Sequence, residues 1–181
     1  MSTRYFTGRG DDGTTGILSS KRVRKDDSLI EAIGNLDELN SAIGVAIVHI
    51  TDQSVRSQLV IIQNTIFIVG ANLASTNDKK VDKAQIRPQA KVELEASISE
   101  LSNKIPELRQ FVLPGGTTGS SQLHMARAVA RRCERSAVAA SKDYKVDGGV
   151  IAYLNRLSSY LFVAALYLNH LNGMEERHPT Y

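Results

Sequence analysis

This chain has one cysteine, Cys133, among its 181 residues. Neither an intrachain disulfide nor a multi-cysteine metal site can be built from it. Tryptophan is absent, and aromatic residues make up only 6% of the chain, which leaves few stacking platforms for a nucleic acid. An excess of charge of one sign is lacking as well. Twenty-two Lys and Arg face nineteen Asp and Glu, for a formal net charge of +3, far from the bulk basicity of a nucleic-acid packaging protein. The opening MSTRYFTGRGDDG contains no apolar core of a signal peptide. The most apolar run, LVIIQNTIFIVGANLA, is interrupted by Gln63, Asn64 and Thr65 and reads as too short to cross a bilayer. These absences predict a cytoplasmic protein that uses neither membrane nor nucleic acid. No internal repeat or low-complexity tract is present, and 42% hydrophobic residues suit one compact domain with a sizeable core.

What is there is helical periodicity. Five segments show it: 28–50, 54–75, 88–104, 120–142 and 148–171. The first places Leu29, Ile33, Leu36, Leu39 and Ile43 at helical spacings. The second is the most apolar and is expected at the centre of the bundle. Pro88 suits a first turn, Ser120 or Ser121 offers an N-cap for the fourth helix, and Gly173 is a stop signal for the fifth. Strand signals are weak throughout, because the β-branched run from Val60 to Val69 is too long and unpunctuated for a strand. The expectation is an all-α, antiparallel five-helix bundle over residues 28–172. A glycine-rich loop and basic lead-in (1–27) precede it, and a short tail (173–181) follows.

Two stretches carry chemistry. TGRGDDGTTG, residues 7–16, offers backbone N–H groups, the hydroxyls of Thr7, Thr14 and Thr15, and Arg9. Its glycines let a backbone curl around an anion. It is neither a phosphate loop of the Gly-Lys-Ser/Thr kind nor a dinucleotide fingerprint, since no strand precedes it and no βαβ unit follows. Binding loop and flexible terminus are both open readings here; Lys25 adds charge to an anion or is simply solvated. The second stretch is LHMARAVARRCER. At about 100° per residue, Arg127, Arg131, Glu134 and Arg135 fall within roughly a third of the helix circumference, with His124 on the same side. Ala126, Val129, Ala130, Cys133 and Ala137 form the other, small-residue side. Such a row is either a solvated face laced by pairs such as Arg131 with Glu134, or a polyphosphate cradle, since guanidinium forks match phosphate oxygens. His124 reads as a satisfied surface or packing histidine. Asp37 is either solvated or the buried partner of an arginine across the bundle. Asn155 and Arg156 interrupt an apolar helix and need polar partners.

In this order, TGRGDDGTTGIL, VRKDDSLIEAIGNLDELNSAIG, FVLPGG, LHMARAVARRCER and YLNRLSSYLFVAA resemble the PduO-type ATP:cob(I)alamin adenosyltransferases. They span residues 7 to about 165 in register. The resemblance implies a five-helix bundle that assembles as a homotrimer with active sites between subunits. It also implies transfer of the 5′-deoxyadenosyl group of ATP to the cobalt of reduced corrinoid, with release of triphosphate. Thr7, Gly8, Arg9, Gly10, Thr15 and Gly16 would wrap the ATP phosphates, with Lys25 adding charge. Arg131, Arg132, Glu134, Arg135 and Asn155 would complete the nucleotide site. Arg127 and Asp37 would form a link between subunits at the catalytic centre. Phe111 would bind the corrinoid there and keep the lower axial ligand off cobalt. Mg²⁺ would accompany ATP, without any protein ligand assigned to it. A flavin-dependent reductase and an adenosylcobalamin-dependent enzyme would be the partners. Ser159 and Leu166 depart from the Asp and Arg common in the family, losses that bear on stability or corrinoid docking before chemistry. Two other readings compete: a nucleic-acid module built on the arginine helix, and an inactive relative that binds ATP or cobalamin as a sensor or carrier.

Overall fold

The computed structural model describes residues 5–18, 22–75 and 85–180. A short hairpin pairs β1 (Thr14–Gly16) with β2 (Arg22–Arg24), antiparallel, with Thr15 opposite Val23. Five helices follow: α1 (Ser28–Val48), α2 (Gln53–Ala74), α3 (Pro88–Ser102), α4 (Thr118–Ala140) and α5 (Gly148–Leu171). The five-helix bundle agrees with the reading from periodicity. The hairpin was not expected, because three-residue strands are below what alternation can signal.

Helix starts follow from side-chain oxygens that satisfy otherwise unpaired first-turn N–H groups. Asp27 accepts from Leu29 N, Asp52 from Val55 N, and Asp147 from Gly149 N. Helix α3 lacks such a cap and begins on Pro88. For α4 the cap is Thr117, earlier than Ser120 or Ser121. Ser120 is already inside the helix, fully buried, with its hydroxyl donating to Gly115 O at 3.1 Å. Gly173 adopts φ +65° just beyond α5, the left-handed stop its position implied.

The closest helix pairs are α1 with α4 and α4 with α5; α3 lies against α5 and α2 against α1. Helix α4 is therefore central, and α2 is not. Composition misled here, because α2 leaves Val60, Ile61 and Phe67 exposed. What makes α4 central is size: Ala126, Ala130, Cys133, Ala137 and Ala140 are all buried on it, and small side chains let backbones approach. The polar interruption of α2 does not shorten it either. Asn64 and Thr65 return their side chains to the carbonyls of Val60 and Ile61, and Gln63 donates to Asn40 O on α1. Thus α2 and α5, with 22 and 24 residues, are each long and apolar enough to cross a membrane by length and composition. The expected shortfall in length does not hold. Their apolar residues instead form the bundle core, among them Leu59, Ile62, Ile66, Val69, Leu154, Leu157 and Leu161.

One polar cluster sits in the α1–α4 seam. Asn35, 6% exposed, donates from Nδ2 to Ser136 Oγ at 2.7 Å and to Glu31 Oε1 at 3.1 Å. Its Oδ1 accepts from Arg132 Nε at 3.0 Å, and its backbone carbonyl accepts from Cys133 Sγ at 2.9 Å. Removing the amide strands donors and acceptors in a packed seam. Asn35→Ala is expected to cost about 1–3 kcal/mol, read as a lower urea midpoint at unchanged m-value.

Candidate active site

The arginine row emerges where helical spacing put it, on the outward side of α4. Arg131 and Arg135 are exposed and Arg127 is half-buried. No carboxylate pairs with any of the three among the described residues; Arg135 donates only to the carbonyl of Arg131. The Arg131–Glu134 pair, which would have made this a self-neutralised surface, is not formed. Glu134 accepts instead from Asn155 Nδ2 at 3.0 Å, which brings together two of the residues the sequence singled out, one from α4 and one from α5. Three guanidinium groups along one face, none neutralised, repel each other and lower their free energy when an anion lies between them.

Arg132 behaves differently from the row with which the resemblance grouped it. One position further round the helix, it faces α1, with Nε on Asn35 Oδ1 and Nη2 on Glu38 Oε2. Its charge is thus matched within the chain. Arg156, similarly, pairs with Glu95 on α3 at 3.0 Å and is structural.

The glycine-rich loop is folded. Gly8 and Gly13 have φ of +71° and +79°, values that glycine adopts without strain. Asp12 accepts from Thr14 N and Oγ1 at 2.9 and 2.7 Å, and these bonds hold its carboxyl below the usual range. Arg22 donates to Thr14 Oγ1 and to the carbonyl of Arg9. Lys25 lies over the loop: a Cβ on Gly10 would fall 3.3 Å from Lys25 Nζ and 3.3 Å from Thr14 O. Thr7, Gly8, Arg9, Gly10 and Lys25 are thus gathered on one turn system that β2 closes.

Two cavities complete the picture. One, of about 690 Å³, is lined by Thr15 and Gly16 of the loop, by Gly34, Asp37 and Asn40 of α1, and by Phe67 and Gly70 of α2. The other, of about 480 Å³, is lined by Phe111, Val112, Pro114, His124, Arg127 and Phe162. Asp37 and Arg127 stand in different cavities. Asp37 is exposed with no hydrogen-bond or ion-pair partner among the described residues, so it is not the buried partner of an arginine in its own chain. Phe111 is 80% exposed, which excludes an ordinary core role. Of the two departures, Ser159 is half-buried and Leu166 is buried on α5.

Phe162 escaped the sequence reading. Its ring takes the Arg127 guanidinium at 5.2 Å from the centroid and the edge of His124 at 6.0 Å between centroids. It lies seven residues after Asn155, hence on the same face of α5, and that spacing was the available signal. His124 also departs from expectation. It is 4% exposed with both ring nitrogens unpartnered among the described residues, not satisfied.

With that geometry in place, comparison with known proteins is informative. A sequence model described as cobalamin adenosyltransferase matches residues 5–168. The corrinoid adenosyltransferase of Bacillus subtilis is 37% identical, covering 94% of this chain and 89% of its own length. That of Mycobacterium leprae is 40% identical, covering 95% and 94%. The fold of a PduO-type ATP:corrinoid adenosyltransferase from Lactobacillus reuteri, solved as a phenylalanine-to-alanine variant complexed with cobalamin and ATP, superposes with a TM-score of 0.94. It is 32% identical and covers 98% of this chain and 100% of that one. An arginine-to-lysine variant of that enzyme complexed with ATP gives a TM-score of 0.91 at 34% identity, covering 97% and 99%. The chain belongs to the cobalamin adenosyltransferase family.

His124 supplies a pH test of the second cavity. Burial, and then the nearby Arg127 charge, push its pKa below the ordinary histidine value. The unfolded chain binds this proton more readily than the folded one, so stability is retained above the unfolded pKa of about 6.5 and lost as pH falls below it. His124→Phe should flatten that part of the stability–pH profile measured by denaturant titration between about pH 5 and 8. An identical slope in the variant rules the assignment out.

Proposed function

We propose that this protein transfers the 5′-deoxyadenosyl group of ATP to the cobalt of cob(I)alamin or a related corrinoid, forming adenosylcobalamin and releasing triphosphate. The observation that carries the reading is the un-neutralised row of Arg127, Arg131 and Arg135 on the helix that also lines the cavity with Phe111. In the reaction a cobalt–carbon bond forms at C5′ and the C5′–oxygen bond breaks, its electron pair leaving with triphosphate. Cob(I)alamin is itself a strong nucleophile, so no general base is required. The protein's work is to align C5′ with cobalt and to stabilise charge on the departing phosphates. Thr7, Gly8, Arg9, Gly10, Thr15, Gly16 and Lys25 serve the phosphate chain from the loop. Arg131, Arg135, Glu134 and Asn155 serve the nucleotide from the bundle; Arg132, matched by Glu38, supports α4 from behind. Phe111 excludes the lower axial ligand and water from cobalt, which makes reduction from Co(II) easier.

No group of three or more His, Cys, Asp or Glu that could hold a metal occurs among the described residues. Mg²⁺ would accompany ATP and supply charge neutralisation on its phosphates, as suits an ion usually bound through substrate phosphates. The assembly is a homotrimer with sites between subunits. Support comes from Asp37 and Arg127, which lack ionic partners among the described residues, and from Val60 and Phe67, seven residues apart on α2 and both exposed. The protein works in the cytoplasm without membrane or nucleic acid. A flavin-dependent reductase supplies the low-valent corrinoid, and an adenosylcobalamin-dependent enzyme consumes the product.

Two measurements test this. Arg131→Ala leaves phosphate charge unpaired in a partly desolvated site. Turnover with ATP and chemically reduced cobalamin should fall at least about tenfold, the equivalent of roughly 1.5–3 kcal/mol for a charged hydrogen bond; near-normal kinetics would count decisively against the phosphate placement. The subunit link is tested by a double-mutant cycle. Asp37→Ala and Arg127→Ala should each weaken assembly or activity, with the double variant costing less than the two singles added. A fully active monomer by sedimentation at micromolar concentration would refute it.

A further inference from the structure

The segment between α3 and α4 that carries Phe111 has little apolar anchoring. Phe111 is 80% exposed, Leu113 46% and Leu108 39%. Hydrogen bonds to the chain beyond α5 hold it. Leu113 N donates to Arg177 O at 2.7 Å. The Phe111 carbonyl, which can only accept, lies 2.8 Å from His178 Nδ1, so that nitrogen carries the proton in this contact. Both bonds land on the residue that bears the ring or two positions after it.

Asn169, 1% exposed near the end of α5, organises the same region. Its Oδ1 accepts from Thr117 N at 3.1 Å, and its Nδ2 donates to Gly115 O at 3.1 Å and to Glu176 Oε1 at 3.0 Å. Its carbonyl accepts from Met174 N at 2.9 Å. Gly116 makes the approach feasible. It adopts φ +103°, and a Cβ there would collide with the Asn169 side-chain amide. Between the tail and the Phe111 segment runs a cavity of about 560 Å³, bordered by Leu108, Arg109, Met174 and His178 and reaching Leu166. Segment and tail therefore hold each other across open space by polar contacts, with no packed core between them. Asn169, Arg177 and His178 all lie beyond the residues that the family's sequence model matches, 5–168.

We propose that residues 174–178 are a strap that sets the position of Phe111, with His178 as a positioning residue acting through the Phe111 carbonyl. The proposal rests on the axial-ligand exclusion assigned to Phe111 above. A ring on a segment with few apolar contacts samples many positions, whereas two backbone anchors within three residues preorganise it before the corrinoid arrives. The strap touches neither the phosphate loop nor the arginine row, so its effect is confined to the corrinoid end of the reaction.

The experiment compares wild type with His178→Ala, His178→Asn, Phe111→Ala and the Phe111→Ala/His178→Ala double variant. It measures melting temperature, ATP affinity, the fraction of four-coordinate Co(II) formed from cob(II)alamin in the presence of ATP, and turnover from Co(II) and from pre-reduced Co(I). His178→Ala should lower the four-coordinate fraction and Co(II)-started turnover by about two- to tenfold, the loss of one hydrogen bond. Melting temperature, ATP affinity and Co(I)-started turnover should stay near wild type. Asparagine, with an N–H donor at the equivalent distance from the backbone, should restore most of the effect. On the Phe111→Ala background, adding His178→Ala should change nothing further. A normal four-coordinate fraction in His178→Ala, while Phe111→Ala loses it, overturns the strap alone. A drop of the same size on both backgrounds also overturns it, because His178 would then act independently of Phe111. Unchanged Co(II) coordination in Phe111→Ala overturns the exclusion role, and the strap with it.

Discussion

The small face of α4 is the constraint from which the rest of the structure follows. With Ala126, Ala130, Cys133 and Ala137 buried on it, α4 comes close to α1 and α5 at once, and α2 and α3 pack in turn on those two helices. A helix whose inward side is filled with alanine must carry its long side chains outward. The arginine row is therefore the other side of the same helical geometry. Substituting larger residues inside would push α1 and α5 apart and shift the outward guanidinium groups with them. Packing and electrostatics here are set by one periodicity.

That link explains what the sequence revealed and what it hid. Helix identity, the stop at Gly173 and the outward placement of Arg127, Arg131 and Arg135 all depend on spacing within one helix, so they were readable. Which helix stands at the centre depends on side-chain size across several helices, and hydrophobicity pointed to α2 instead. The cap of α4 is Thr117, whose hydroxyl accepts from Ser120 N while the Ser120 hydroxyl donates to Gly115 O; in a run with several hydroxyl residues, helical spacing alone does not choose the cap. Arg132 belonged to the same charged run as its neighbours, yet a single step of 100° turns it to Glu38. His124 had the right side of the helix but the wrong environment: the Phe162 ring that encloses it comes from α5, 38 residues away in sequence.

The functional residues divide into two groups that meet no common partner within one chain. The loop, with Asp37, borders one cavity and Phe111, with Arg127, borders another. Their charges are complementary: among the described residues, Asp37 has no ion-pair partner on one side and Arg127, stacked on Phe162, has none on the other. A bundle can leave such groups exposed at little cost in water, where an ion pair is worth about 1 kcal/mol or less. When a second surface excludes solvent from them, their attraction and their desolvation cost both rise, so each then needs the other as its partner. Under the proposed function, this split is what a catalytic centre completed by a second subunit would require.

Cys133 carries a consequence of a different kind. Its thiol donates to Asn35 O, and burial pushes its pKa up to about 12, so almost no thiolate exists at neutral pH. The chain's one sulfhydryl is thus held as a buried thiol. Burial and this shift predict slow reaction with alkylating reagents and oxidants in the folded state. A cysteine introduced elsewhere on the surface would be the sole reactive thiol, so a spin label or fluorophore could report on the Phe111 segment without first removing a native residue from the seam. Burial that closes the helix packing also leaves the protein a blank background for labelling chemistry.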